Sequence, residues 1–269
     1  MFSRLSAKVC ETSMSTSYDH HHAPEVASTN AWALSWLRGH KMEAPTLFTT
    51  DHQHTGRGQR DKQWSAEPLR DCSLTLAVAV PRGWTPAMLN MAVALSLRST
   101  LLSVLPKHRP EESVLIKWPN DLVLWHAQTH RKCAGILVEN AWRGSEWTHA
   151  VIGIGVNVSS QRLTRSYRAV SLSEAWQVTM DPIALAHHIA SNLLQTLHAP
   201  LQAATILAGF QHHLMGRREQ RTFVHKGSEH LGMLCEINGE GYGRFAWQDP
   251  KTAPPEWLPS SEIAWVWGQ

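Results

Sequence analysis

The stretch that most constrains the fold is residues 114–124, which read V-L-I-K-W-P-N-D-L-V-L. Apolar residues on both sides of a W-P-N-D segment predict two strands, because proline, asparagine and aspartate all favour the turn between them. We therefore expect an antiparallel hairpin. Lys117 ends the first strand, where its amine must either reach water along its aliphatic stem or meet an anion. As a general rule, lysines more often reach water.

Further segments alternate between strand and helix patterns, which predicts a protein of the α+β class. Apolar residues at helical spacing predict a helix that begins after Ser28–Asn30 and a second helix over 86–105, with Thr85 as its cap. Alternating apolar residues predict a mixed or antiparallel sheet. Its further strands are expected at 45–50, 72–80, 131–140 and 149–158.

The two ends of the chain differ from its centre in amino-acid composition and in sequence pattern. Residues 1–23 are rich in serine and threonine, so we expect a partly disordered segment, with His20–His22 as a solvated tail rather than a metal site. Residues 24–216 form the main domain. From 217 to 269, short strand patterns separated by glycine, proline and asparagine predict a small β-barrel. Those patterns fall at 221–225, 231–237, 243–247 and 263–267.

Composition excludes several classes of protein. The net charge is only +3 and the basic residues are scattered, which argues against an extended nucleic-acid surface. The four cysteines form no C-x-x-C pair, which favours a reducing compartment and argues against a zinc ribbon. No apolar run is long enough to span a bilayer, and no secretory signal is evident. A cytoplasmic location is the default expectation.

Residues 54–64, H-T-G-R-G-Q-R-D-K-Q-W, have no apolar period of a helix or a strand. Their two glycines allow close backbone approach to another group. The basic residues Arg57, Arg60 and Lys62 outnumber Asp61, and arginine offers donors that match phosphate oxygens. We expect a mobile cationic loop that grips an anion; the alternative is an ordinary solvated loop.

Polar and small residues also stand at the ends of predicted elements. Ser28–Asn30 either cap a helix or present polar groups to a ligand at its N-terminus. Gln53 is placed to face whatever the loop covers, and Gly135 allows close approach of a ligand within its strand. Residues 153–157 read G-I-G-V-N. A G-x-G inside a strand more often marks a bulge, and this one lacks the strand–turn–helix setting of a dinucleotide site.

Taken in order, these motifs resemble those of biotin protein ligases. They are S-T-N, G-R-G followed by basic residues and tryptophan, K-W-P-N-D-L, K-x-x-G-I-L-V-E, G-I-G-V-N and, at 169–175, A-V-S-L-S-E-A. The resemblance implies a class II synthetase-like biotin/lipoate ligase domain with helices near 181–197 and 206–214, and an SH3-like C-terminal barrel. Fewer than thirty residues precede Ser28, so we expect that family's DNA-binding helix-turn-helix to be missing.

The resemblance also implies a reaction and its partners. Biotin's carboxylate attacks the α-phosphate of ATP, giving biotinyl-5′-adenylate and pyrophosphate, and a lysine of the acceptor protein then displaces AMP. Fixed cations stabilise the negative charge that both steps concentrate. The implied acceptor is the biotin carboxyl carrier domain of a carboxylase, and Mg²⁺ accompanies ATP through phosphate oxygens and water. We expect neither DNA nor a membrane as a partner, and a monomer or a homodimer.

The family match assigns roles residue by residue. Arg57 and Lys117 match the catalytic cations that straddle carboxylate and phosphate. The positions matched to biotin binding are Ser28, Thr29, Asn30, Gln53, Arg57, Gly58, Gln59, Lys117 and Gly135. The positions matched to ATP or adenylate binding are Arg57, Arg60, Lys117, Gly155 and Asn157. No residue is assigned to a metal ion.

The loop departs from the family's usual G-R-G-R-R-G-R, because Gln59 replaces the second arginine and Asp61 the third glycine. We therefore expect it to hold the adenylate less firmly. A lipoate ligase or octanoyl transferase would share the architecture, although K-W-P-N-D-L with G-R-G-x-R favours biotin. A non-catalytic or altered-activity biotin-binding relative is a second alternative. A transcriptional regulator is the third, disfavoured for want of a DNA-reading helix pair.

Overall fold

The structure is a computed structural model that describes residues 17–60, 62–104, 114–161, 163, 168–248 and 255–266. Its main body is a seven-stranded mixed sheet in the order β1-β2-β5-β9-β8-β7-β6. The strands are β1 (Asp19–Val26), β2 (Thr46–Gln53), β5 (Cys72–Ala79), β6 (Val114–Lys117), β7 (Asp121–His126), β8 (Thr129–Arg143) and β9 (Glu146–Val156). Strand β1 runs parallel to β2, and every other pair is antiparallel.

The hairpin expected at 114–124 is confirmed. Strands β6 and β7 pair with Lys117 opposite Asp121, so the turn occupies the three residues between them. The next pairing, β7 with β8, places Asp121 opposite Gly135. The turn thus brings a lysine, an aspartate and a glycine of three successive strands together at one end of the sheet.

Helices cover both faces of the sheet. They are α1 (Thr29–Gly39), α2 (Pro86–Ser103), α3 (Leu172–Trp176), α4 (Pro182–His198) and α5 (Ala203–His212). Because strand side chains alternate, neighbouring residues bury against different helices. Leu47 and Leu76 belong to the large core under α2 and α4, whereas Phe48 and Ala77 pack against α1. None of the helices in these described ranges has the length and apolar character needed to cross a membrane.

The two expected helix starts are confirmed by their caps. The Ser28 hydroxyl accepts a hydrogen bond from Ala31 N at 3.4 Å, and the Thr85 hydroxyl accepts one from Met88 N at 3.2 Å. Each cap satisfies one backbone donor that the first helical turn leaves without an internal partner. The Ser28 side chain therefore caps α1, whereas the side chains of Thr29 and Asn30 take no part in this cap.

The expectation of a disordered segment through residue 23 is wrong for residues 19–23, which lie in β1; residues 1–16 lie outside the described chain. The solvated histidine tail is likewise corrected. His20 Nε2 and His22 Nδ1 lie 2.8 and 3.0 Å from Thr49 Oγ1, and the His21 ring stacks on Phe48. An edge strand is held by backbone pairing to one neighbour, so it tolerates polar side chains that hide its strand pattern.

The loop of residues 54–64 is also more regular than expected. Strand β3 (Gly56–Arg57) pairs with β4 (Gln63–Trp64) to form a two-stranded ribbon, which we call the cationic ribbon. Gly58 N donates to Lys62 O, which continues the pairing toward the tip. Asp61 lies outside the described residues. Backbone pairing within the loop needs no apolar period, which is why the sequence pattern did not predict it.

The C-terminal part forms a five-stranded antiparallel sheet in the order β13-β12-β11-β10-β14, in line with the expected SH3-like domain. Its strands are β10 (Gln220–His225), β11 (Ser228–Ile237), β12 (Gly243–Trp247), β13 (Glu256–Leu258) and β14 (Ile263–Trp265). Trp118 joins the two sheets, since its indole N–H donates to Gly241 O and its ring lies 5.8 Å from that of Phe245. The Trp265 indole N–H donates to Trp118 O. Strand β14 therefore sits beside the β6–β7 turn.

Candidate active site

A cavity of about 330 Å³ lies on the α1 face of the large sheet, beneath the cationic ribbon and beside β14. It brings together almost all of the residues that the motifs single out. Those lining it are Ser28, Thr29, Asn30, Gln53, Arg57, Gly58, Gln59, Arg60, Lys117, Gly135 and Gly155. Residues separated by more than a hundred positions thus share one wall.

A buried polar ledge forms one end of the cavity. The backbone N–H and the hydroxyl of Thr29 donate to Gln53 Oε1 at 2.9 and 3.2 Å. Thr75, which the motifs do not include, donates to Asn30 Oδ1 at 2.6 Å. Each of these side chains is less than a tenth exposed. Because its members hold one another in place, the ledge presents fixed donors and acceptors to a ligand.

Two glycines make room for this ledge and for the ribbon. Gly153 and Gly155 lie on the same face of β9, and the register there is continuous, so the expected bulge is absent. An added Cβ at Gly153 would collide with the Asn30 amide, and one at Gly155 with the Trp64 ring. The G-x-G pattern therefore marks close approach of side chains to the sheet.

Lys117 projects into the cavity and meets an anion there. It is 8% exposed, and its Nζ lies 3.6 Å from Asp121 Oδ2 and 5.7 Å from the centre of the Trp265 ring. Burial lowers the pKa of the Lys117 amine, and the neighbouring Asp121 opposes that shift. The commoner alternative, in which the lysine reaches bulk water, is therefore wrong here.

Lys132 is a second cavity cation, to which the sequence assigned no role. Its Nζ lies 2.6 Å from Asp121 Oδ1 and 5.3 Å from the centre of the Trp64 ring. It is the lysine of the K-x-x-G-I-L-V-E motif. Its place three residues before Gly135 was the feature of the sequence that could have pointed to a role in the site. Asp121 therefore bridges two lysines.

Asn157 does not line the cavity, in contrast to its predicted contact with the nucleotide. Its amide donates to Lys132 O at 3.3 Å and to Val170 O at 3.5 Å. These contacts hold the segment that contributes Arg168 and Ala169 to the cavity wall. Asn157 thus supports the cavity wall from outside the cavity. Its buried amide is satisfied by backbone carbonyls, as buried polar groups usually are.

The cationic ribbon is tied to the sheet by Arg57. Its Nη2 lies 3.1 Å from both carboxylate oxygens of Glu139, and Glu139 also accepts from Asn30 Nδ2 at 2.8 Å. Arg60, for which a nucleotide contact is predicted, lines the cavity and donates to Ile263 O at 3.2 Å. The ribbon therefore reaches from β8 to the C-terminal sheet and lies over the cavity.

Two buried polar atoms in the cavity wall have no hydrogen-bond partner among the residues that the structure describes. They are the hydroxyl oxygen of Ser73 and the indole nitrogen of Trp64. A buried hydroxyl or N–H without a partner costs about 1–3 kcal/mol, so such atoms mark places where a ligand supplies the missing bond. The cavity thus has the size of a small-molecule site, with hydrogen-bonding groups at one end and the amines of Lys117 and Lys132 beside Asp121 in its wall.

Residues 23–157 match the Biotin/lipoate A/B protein ligase family, and the chain belongs to that family. The family resemblance of the motifs is thereby confirmed. The chain is 27% identical over 183 residues to the bifunctional ligase/repressor BirA of Escherichia coli, covering 66% of this chain and 52% of that protein. It is 29% identical over 132 residues to the chloroplastic biotin–protein ligase 1 of Arabidopsis thaliana, covering 48% of this chain and 34% of that protein. The chain thus spans about half the length, or less, of these curated relatives.

Solved structures share the fold over most of the chain. The biotin protein ligase from Aquifex aeolicus in complex with biotin and ATP superposes with a TM-score of 0.69 at 18% identity, covering 91% of this chain and 97% of that one. The biotin protein ligase from Leishmania major in complex with biotinyl-5-AMP gives 0.61 at 19% identity, covering 89% and 98%. The expected architecture is therefore confirmed.

Proposed function

We propose that this protein is an ATP-dependent biotin protein ligase that forms biotinyl-5′-AMP and transfers biotin to a lysine of a biotin carboxyl carrier protein. The observation that carries the proposal is the position of Lys117, buried in the same cavity as the polar ledge. Family membership and the biotin and ATP named for the Aquifex aeolicus complex support the choice of ligands.

In the proposed mechanism, the ledge binds biotin's ureido ring. Thr29, Asn30 and Gln53 supply fixed polar groups. The Ser73 hydroxyl, which has no partner among the described residues, supplies a further bond. A lipoyl dithiolane or an octanoyl chain end has no hydrogen-bonding groups comparable to a ureido ring, so it would leave Ser73 unsatisfied. The ledge therefore favours biotin over lipoate and octanoate.

The cations then act at the other end of biotin. Lys117 and Lys132 both pair with Asp121, so one negative charge offsets only one of the two positive charges. The net positive charge is buried, where it stabilises the negative charge that develops as the carboxylate attacks the α-phosphate. We propose Lys117 as the catalytic cation and Lys132 as the residue that keeps Asp121 in position.

Arg57 is proposed to move from Glu139 to the ligand. Its side chain is half exposed, and ion pairs of this kind contribute only about 0–1 kcal/mol. A substrate carboxylate or phosphate can therefore compete for the guanidinium at little cost. This exchange would close the ribbon over the adenylate and exclude water from the reactive mixed anhydride.

The carboxylates of the cavity fit poorly as direct ligands of Mg²⁺. Within the described chain, the cavity carboxylate Asp121 is held by two lysines, and the nearby Glu139 is held by Arg57 and Asn30. We therefore propose that Mg²⁺ enters with ATP, bound by phosphate oxygens and water. No protein-held metal enters the mechanism.

The deciding experiment is biotin-dependent exchange of labelled pyrophosphate into ATP, followed by transfer of biotin to a purified carrier domain. Exchange and transfer are both expected with biotin, and neither with lipoate or octanoate. Exchange driven by lipoate would overturn the choice of substrate. Biotin binding without any exchange would identify a non-catalytic relative instead of a ligase.

A further inference from the structure

Three side chains converge at the ends of β1 and β2, outside the wall of the active-site cavity. Glu25 on β1 pairs in register with His52 on β2, and His54 follows two residues later. None of the three residues lines the active-site cavity, whereas Gln53, which stands between the two histidines, does. The three side chains therefore form a cluster separate from the cavity wall.

The ligand atoms of this cluster are already close together. Glu25 Oε1 lies 3.0 Å from His52 Nδ1 and 3.1 Å from His54 Nε2, and all three atoms fall within 4.8 Å of one another. Zinc–ligand bonds of 2.0–2.1 Å in a tetrahedral site place neighbouring ligand atoms about 3.3 Å apart. Small movements of these side chains are therefore enough to admit an ion between them.

We propose that Glu25, His52 and His54 form a binding site for Zn²⁺, with its fourth position open to water. Two imidazole nitrogens and one carboxylate are ligands that Zn²⁺ prefers, whereas Mg²⁺ and Ca²⁺ select oxygen ligands. The side chains are 57%, 33% and 45% exposed, so an ion reaches them directly from solvent. The site is thus chemically distinct from the Mg²⁺ that accompanies ATP.

Zinc at this site would fasten β1 to the segment that leads into the cationic ribbon. The last backbone contacts of these strands are His54 N to Val26 O and Thr55 N to Ala27 O, at 3.1 and 2.9 Å. A metal bridge between Glu25 and both histidines adds a stronger link beside them. An ion that binds only the folded chain raises its unfolding temperature by mass action.

The test measures Zn²⁺ binding to the full chain by titration calorimetry after removal of metal with a chelator. One ion per chain is expected. The double variant His52→Gln/His54→Gln is expected to bind at least about tenfold more weakly, because two of three ligands are lost. Zinc is also expected to raise the unfolding temperature of the original chain and not that of the double variant.

Two control variants separate this site from the other histidines. His20→Gln removes one of the three consecutive histidines of β1. His198→Gln removes an exposed histidine at the end of α4. Both are expected to retain the affinity of the original chain. Circular dichroism checks that every variant is folded, and Glu25→Gln repeats the test without changing a histidine. Unchanged affinity in the double variant, or no saturable binding to the original chain, would overturn the site. Neither readout depends on ligase activity.

Discussion

Lys117 Nζ lies 3.6 Å from the Asp121 carboxylate, across the turn that joins β6 to β7. The other oxygen of that carboxylate is held by Lys132 at 2.6 Å. Asp121 therefore keeps a charged partner when Lys117 is removed. This matters for mutagenesis, because a buried carboxylate left without any partner would destabilise the fold and confuse a catalytic effect with unfolding.

Lys117→Ala is expected to slow adenylate formation severely while leaving the protein folded. Loss of one fixed donor at a developing negative charge typically lowers the rate by about 10²–10³. The measurement is biotin-dependent pyrophosphate exchange, with thermal unfolding as the check on folding. Lys41→Ala, at an exposed position, is the matched control and is expected to exchange at the normal rate. A normal adenylate yield from folded Lys117→Ala would remove this lysine from the mechanism.

The pH profile of adenylation should report the buried amine. Burial lowers the pKa of Lys117 from its ordinary value of 10.5, so the folded state favours the neutral amine more than the unfolded chain does. The amine consequently loses its proton, and the rate falls, at a lower pH than for an exposed lysine. With this sign, Lys117 opposes folding at low pH, and the opposition is relieved as pH rises through its lowered pKa toward 10.5.

Lys117→Arg provides the comparison for this profile. A guanidinium stays charged across the accessible range, so the alkaline fall in rate should disappear or move upward in whatever activity remains. The rate of pyrophosphate exchange is measured from neutral to alkaline pH for both proteins. The same alkaline limb in Lys117→Arg would assign the titration to a different group.

Ser73→Ala is expected to stabilise the ligand-free protein and to weaken biotin binding. The Ser73 hydroxyl is buried without a partner in the described part of the chain, so its removal is expected to raise the free energy of unfolding of the ligand-free protein by about 1 kcal/mol. Biotin affinity should fall by roughly tenfold, because the bond that biotin would make is lost. Denaturant unfolding and titration calorimetry measure the two effects.

Ser96→Ala is the matched control for that variant. The Ser96 hydroxyl on α2 is also buried with no partner in the described ranges, but it lies outside the cavity wall. It should give a comparable gain in stability and leave biotin affinity unchanged. Equal affinities for biotin in all three proteins would mean that Ser73 does not contact the ligand.

Gln59→Arg should slow the escape of the adenylate. Gln59 lies at the tip of the cationic ribbon and lines the cavity. It stands where the family pattern G-R-G-R-R-G-R has an arginine. A restored charge adds a charge-assisted hydrogen bond to phosphate, and the release rate is expected to fall by about three- to tenfold. Release of labelled biotinyl-adenylate is followed by rapid filtration. Gln195→Arg, on the exposed face of α4, controls for net charge, and equal release rates in both variants would refute a specific effect.

Local patterns were sufficient for much of the fold, whereas most of the candidate site residues came from the family resemblance. The β6–β7 hairpin follows from turn residues between apolar runs, and the start of α1 follows from a serine that caps it. These two inferences succeeded because each depends on interactions within a few residues of chain. Lys117 stood out as a charged residue at the end of an apolar strand, but the general rule favoured water over an anion as its partner.

Only the tertiary structure decided features that depend on partners distant in sequence. Backbone pairing to β2 makes β1 a strand despite its histidines, and Asp121 brings Lys132 beside Lys117. The Asn157 amide donates to a backbone carbonyl of a different segment, at Val170. Position 153 must be a glycine because the side chain of Asn30, 123 positions away, occupies the space that a Cβ would need. The sequence alone identified most of the residues that line the cavity. Strand register, which depends on many weak contacts along the whole sheet, determined which side chains face the cavity.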